Sequence, residues 1–272
     1  MKPAFLFIFA WLAFAVRGED FEWSGAITAT GTAPTARYAH TSVFYGDYMV
    51  VFGGNDGGAN KNDLHKLDLS TNTWSGAITA TGTAPTARRY HTSVVYGDYM
   101  VVFGGYASGN LNDLHKLDLS TNTWSGAITA TGTKPTARYG HTSVIYGDYM
   151  VVFGGRDGAY KNDLHKLDLT TNAWSGAITA TGTAPTARNA HTSVVYGDFM
   201  VVFGGHDGAY KNDLHKLDLS TNAWSGAITA TGTKPTARLA HTSVVYGDYM
   251  VVFGGEDGGV KKNDLHKLTL ST

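Results

Sequence analysis

From residue 21 onward, apolar residues fall in short runs broken by glycine, asparagine and aspartate, and no stretch keeps the 3.6-residue spacing of an amphipathic helix. A representative stretch, HTSVVYGDFMVVFGG from His191 to Gly205, holds two runs rich in Val, Tyr, Phe and Thr on either side of a Tyr-Gly-Asp turn. That pattern predicts a β-hairpin. A third run, NDLHKLDL, ends in Ser-Thr-Asn, and a fourth, AWSGAIT, leads into a Thr-Gly-Thr-x-Pro linker. The unit predicted is a meander of four short strands.

The unit recurs along the chain. Trp23, Trp74, Trp124, Trp174 and Trp224 are spaced 50 or 51 residues apart, as are the glycine pairs beginning at Gly53, Gly104, Gly154, Gly204 and Gly254. A period near fifty belongs to propeller blades or solenoid units, since one meander cannot bury its apolar faces alone. The fold class expected is all-β: a five-bladed β-propeller of four-stranded antiparallel blades. The last unit, from Arg238, stops at Leu270-Ser271-Thr272, short of a tryptophan, while Phe21-Glu22-Trp23-Ser24-Gly25 is a fourth strand without a blade. Joining them satisfies two edges that would otherwise stay unpaired, so the last blade is expected to be closed by the N-terminal strand. The competing reading is a truncated member of a larger ring.

The first residues differ in kind. Lys2 precedes the apolar run from Ala4 to Val16, and Arg17, Gly18, Glu19 and Asp20 follow it. Such a run is too short for a comfortable membrane span and reads as a signal peptide over residues 1–18, cut after Ala15 or Gly18, with an uncleaved anchor as the alternative. The propeller domain is then 19–272, secreted and free of the membrane after signal removal. There is no cysteine, which excludes disulfides, thiolate metal sites and cysteine nucleophiles. A net charge of -1 gives no field to attract nucleic acid. A monomer is expected.

These residues resemble the kelch repeat. Arg-x-x-His, an apolar strand ending in Gly-Gly, Asn-Asp-Leu, Leu-Asp-Leu and Trp follow one another in register over residues 21–272. Leu67, Leu117, Leu167, Leu217 and Leu268 stand where a tyrosine often precedes the aspartate of the third strand, as in the leucine-type branch of the family. The resemblance implies radial blades with the first strand innermost. It also implies that the positions just after Gly-Gly and just after the linker arginine line a ligand pocket.

The repeated residues have structural readings. His40, His91, His141, His191 and His241 sit on the inner strands, where a metal is conceivable, but the repeat carries a histidine there routinely. His65, His115, His165, His215 and His266 alternate with leucines and read as packing residues. The glycine pairs lack the Lys-Ser/Thr and the helix of a phosphate loop. Asp56, Asp157, Asp207 and Asp257 each precede a glycine and signal turns. No cofactor or metal is expected.

Function is therefore sought where the repeats disagree. In an antiparallel meander the loop after Gly-Gly and the linker share one face, face A, while the Tyr-Gly-Asp and Ser/Thr-Thr-Asn turns share the opposite face B. Face B is nearly constant. Face A is not: Asn55, Tyr106, Arg156, His206 and Glu256 follow Gly-Gly, and Tyr38, Arg89, Tyr139, Asn189 and Leu239 follow the arginine, with Tyr90, Tyr160 and Tyr210 nearby. The ligand-binding residues expected are Tyr38, Asn55, Arg89, Tyr90, Tyr106, Tyr139, Arg156, Tyr160, Asn189, His206, Tyr210 and Glu256. Tyrosine and arginine dominate binding hot spots, so the expected function is binding a protein, peptide or glycan. The alternative is a sugar isomerase or mutarotase with His206, Glu256 and Arg156 as its acid-base groups. A galactose-oxidase-type copper site is excluded, because its cofactor needs a cysteine.

Overall fold

The computed structural model describes residues 27–271, which contain strands, turns and irregular backbone and no helix. Five blades follow one another, and their first strands adjoin in succession around an axis. Blade three shows how the sequence builds them. Thr142–Tyr146 is innermost, and Tyr149–Arg156, Tyr160–Asp168 and Ala173–Ala177 follow outward, each antiparallel to the last. Gly147 makes the first turn with a φ of 56°. Asp168 makes the next by accepting the N–H groups of Thr170 (2.8 Å) and Thr171 (3.1 Å).

In blades two to four the second strand is buried on both faces, because each of these blades is sandwiched between two others. Met150 and Val152 pack on blade two, while Val151 and Phe153 pack on blade four. Trp174 closes the outer end of the blade 2–3 interface, its ring 5.0 Å from Phe103. Equivalent apolar clusters join blades one to two, three to four and four to five.

The blades are larger than the sequence suggested. Thr30–Thr32, Thr81–Thr83, Thr131–Thr133 and Thr181–Thr183, read above as linker, are fifth strands that run parallel to the outer strand of the blade that follows. Glycine permits the close approach: at Gly132, with a φ of 74°, a Cβ would lie 2.1 Å from the carbonyl oxygen of Trp174. Three residues are too few to show an alternation.

Blade five differs. Its sheet holds Thr242–Tyr246, Tyr249–Phe253 and Leu265–Thr269, and Glu256–Asp257 with Val260–Lys261 form a separate small hairpin. The strand expected to complete it, residues 21–25, lies outside the described residues, as does the signal segment 1–18. The first strands of blades five and one do not adjoin as closely as those of the other successive blades. Val244 is 56% exposed where Val144 is 8%, and Phe44 on the facing side of blade one is 65% exposed. No helix among the described residues is long and apolar enough to cross a membrane.

Candidate ligand-binding face

The loops of face A are held from beneath by a charged clasp in every blade. Arg138, fully buried, donates to both carboxylate oxygens of Asp163 (2.6 and 2.7 Å), to the Gly154 carbonyl (2.8 Å), and to the Thr136 carbonyl and hydroxyl (3.0 Å each). All five guanidinium N–H groups are thereby used. His165 Nε2 bonds the same carboxylate at 3.0 Å. Burial pushes the Asp163 carboxyl up, but the bonds from Arg138 and His165 outweigh it and leave it far below the usual carboxylate range. The arginine thus ties the linker, the Gly-Gly corner and the third strand together, so both variable positions sit on a fixed base.

Those two positions meet. Tyr38 bridges Asn55, Arg89 bridges Tyr106, Tyr139 bridges Arg156, Asn189 bridges His206 and Leu239 bridges Glu256, each as an antiparallel pair. The next residue of each linker turns inward with a positive φ, at Ala39, Tyr90, Gly140, Ala190 and Ala240. Their backbones form a girdle across the blades: Tyr90 N–H donates to Ala39 (2.9 Å), Gly140 to Tyr90 (3.0 Å), Ala190 to Gly140 (2.8 Å) and Ala240 to Ala190 (2.9 Å). Small residues suit this left-handed position. Tyr90, with a φ of 55°, is the large exception, and strained backbone of this kind concentrates at binding sites.

Over the girdle lies a cavity of about 420 Å³ lined by Arg89, Tyr90, Tyr106, Tyr139, Asn189 and Leu239 among others. The Arg89 guanidinium lies 5.4 Å from the Tyr106 ring and 5.7 Å from the Tyr90 ring, and donates to the Tyr38 hydroxyl at 3.0 Å. Its Nε is buried with no partner among the described residues. Tyr139 packs at 5.9 Å from both Tyr90 and Tyr106. Burial, with Tyr38 next to it, pushes the Tyr90 hydroxyl up, so the ring stays neutral.

The family model described as the KLHDC2/KLHL20/DRC7 Kelch-repeats domain matches residues 13–205 and 140–272. The chain belongs to the kelch-repeat family. Among its relatives, human Kelch domain-containing protein 3 is 41% identical over 80 residues, 29% of this chain and 21% of that protein. Kelch domain-containing protein 2 of Bos taurus is 40% identical over 91 residues, 33% of this chain and 22% of that protein. The Leucine-zipper-like transcriptional regulator 1 homolog of Drosophila melanogaster is 39% identical over 85 residues, 31% of this chain and 9% of that protein. Each match spans less than a quarter of the relative.

The kelch propeller splits the remaining candidates into a second group on blades three to five. Arg156 lies 5.1 Å from the Tyr160 ring, whose hydroxyl bonds His206 Nδ1 at 2.7 Å. Tyr210 donates to Glu256 Oε1 at 3.1 Å, and Lys261 bonds the other carboxylate oxygen. Lys261 and Tyr210 hold the Glu256 carboxyl below its usual range. His206 and Glu256, the acid-base pair of the isomerase alternative, thus have separate partners. Leu239 and the girdle residues Gly140, Ala190 and Ala240 also line the cavity but were not among the ligand-binding residues expected. The signal for Leu239 was its place after the linker arginine.

The histidines divide by role. His191 Nε2 bonds Thr142 Oγ1 of the preceding blade at 3.0 Å, and the pattern repeats at His91, His141 and His241. Burial, with the nearby arginine second, pushes His91 and His141 down to about 3. They are neutral links between blades. The third-strand histidines do more than pack, since each bonds the clasp aspartate.

Proposed function

We propose that the protein is a secreted, monomeric kelch binding module that takes a protein, peptide or glycan ligand on face A, anchored in the Arg89–Tyr90–Tyr106–Tyr139 cavity. The observation that carries this is Tyr90, a large aromatic residue at the left-handed girdle position where every other blade places alanine or glycine. The six lining residues named include a guanidinium and no carboxylate, which suits an anionic or carbonyl-rich group flanked by apolar surface. Secretion rests on the charged start, apolar run and polar exit of residues 1–18.

The test is a screen of residues 19–272 against peptide and glycan arrays, followed by Arg89→Ala and Tyr106→Ala on the best binder. Each substitution should weaken binding at least tenfold, as hot-spot truncations costing about 2 kcal/mol do, while leaving the melting temperature within a degree or two. Asp47→Asn, on face B, should leave the affinity unchanged. Unaltered affinity in both face A variants would remove the cavity from the reading.

A further inference from the structure

We infer that the outer rim of the propeller carries O-linked sugars on Thr32, Thr83, Thr133 and Thr183. The inference rests on the export proposed above and concerns neither binding face. Each of these threonines ends a fifth strand, the outermost of its sheet, and every residue of those strands is exposed. The surrounding run, TATGTAPT at residues 28–35, recurs at 79–86 and 179–186 and, with one lysine, at 129–136. It holds four threonines and a proline in eight residues and no acid. Threonine-rich, proline-containing runs of this kind are the composition of O-glycosylated segments.

The hydroxyls separate these four from the threonines around them. Thr30 Oγ1 lies 2.9 Å from that of Thr73, and Thr81 Oγ1 lies 2.8 Å from that of Thr123. Thr86, Thr136 and Thr186 directly follow the proline, but each accepts a hydrogen bond from its clasp arginine, at 3.2, 3.0 and 3.1 Å. Thr136 and Thr186 also donate to Asp157 and Asp207 at 2.7 Å. The hydroxyls of Thr32, Thr83, Thr133 and Thr183 make no hydrogen bond among the described residues.

Their surroundings leave room for a sugar. Beside them on the adjoining strand stand Gly76, Gly126, Gly176 and Gly226, where a Cβ would lie 3.7 or 3.8 Å from the threonine Cβ. The neighbour of each acceptor thus contributes no side chain. A proline two residues on holds the intervening residue extended, so the acceptor lies on straight backbone that a transferase can grip. The outer side of each fifth strand is a sheet edge, and its Thr-Gly-Thr carries none of the charges that commonly blunt such edges. A sugar at its end covers that edge instead.

In the transfer, Thr83 Oγ1 attacks the anomeric carbon of a nucleotide-activated sugar. The bond from that carbon to the diphosphate breaks, the nucleoside diphosphate leaves, and the hydroxyl proton passes to a base of the cell's glycosyltransferase. The full chain, expressed in secreting animal cells, should reach the medium heavier than its polypeptide mass by whole sugars, and electron-transfer fragmentation should place them on the four threonines. Thr83→Ala should lose its share of the added mass with the melting temperature unchanged, while Thr83→Ser keeps it. Protein secreted at the bare polypeptide mass would overturn the proposal and leave export standing. Chain kept inside the cells would overturn export and the proposal together. Sugars on Thr81 or Thr86 with Thr83 bare would overturn the choice of free hydroxyls, and the proposal with it.

Discussion

Blade three and blade five share the run from the inner histidine to Gly-Gly with one difference, Ile145 against Val245. Val144 is nonetheless buried and Val244 exposed, and the Tyr146 hydroxyl donates to Asp198 of the next blade at 2.8 Å while Tyr246 is 65% exposed. Burial here belongs to the neighbour rather than to the sequence. Stability in such a stack is close to a sum of blade terms and nearest-neighbour interfaces. The pair is an internal control: the same substitution made twice separates what a blade contributes alone from what its neighbour adds.

The clasp should show the largest effect. Arg138→Ala strands Asp163 and His165 inside blade three, and breaking one side of a buried ion pair costs about 3–5 kcal/mol. Arg238→Ala removes the same bonds in blade five, but Asp264 is 41% exposed where Asp163 is 30%, so water can replace part of them. Urea denaturation should find the blade-five variant the more stable. Equal losses would mean that the clasp acts within its blade alone.

Acid should act through the inner histidines. His91 and His141 have folded values near 3, pushed down by burial, against an unfolded value of 6.5. A depressed histidine favours the folded state fully above the unfolded value, and that stability is lost as pH falls from there toward the folded value. Each of the two should then forfeit about 2 kcal/mol between pH 7 and about pH 5. His40, on the exposed side of blade one, is lowered by burial and then by Arg37, but no bond to a threonine of blade five is present among the described residues. NMR titration should show His40 gaining its proton while His91 and His141 stay neutral until the protein unfolds. A melting temperature unchanged at pH 5 would contradict the buried neutral state.

The five blades were legible in the sequence because strand, turn and tryptophan recur in phase. Face A was legible for the opposite reason, as the place where Tyr38, Arg89, Tyr139, Asn189 and Leu239 break the repeat. The clasp was missed although Arg138 and Asp163 recur with every unit. A charged pair held constant through five copies signals burial, yet surface charge is the ordinary expectation for either residue alone. The Thr-Gly-Thr strand was missed because its evidence is the φ of one glycine and the approach of a tryptophan carbonyl. The strain at Tyr90 was equally invisible, since alanine, glycine and tyrosine occupy the same girdle position.

The smallest effect discriminates most. Val144→Ala removes two methyl groups from a buried site, a loss of about 1.5 kcal/mol at roughly 0.8 kcal/mol per group. Val244→Ala should cost under about 0.5 kcal/mol if the exposed flank persists in solution. Equal losses from the two variants would mean that a neighbour covers Val244 in solution as blade four covers Val144.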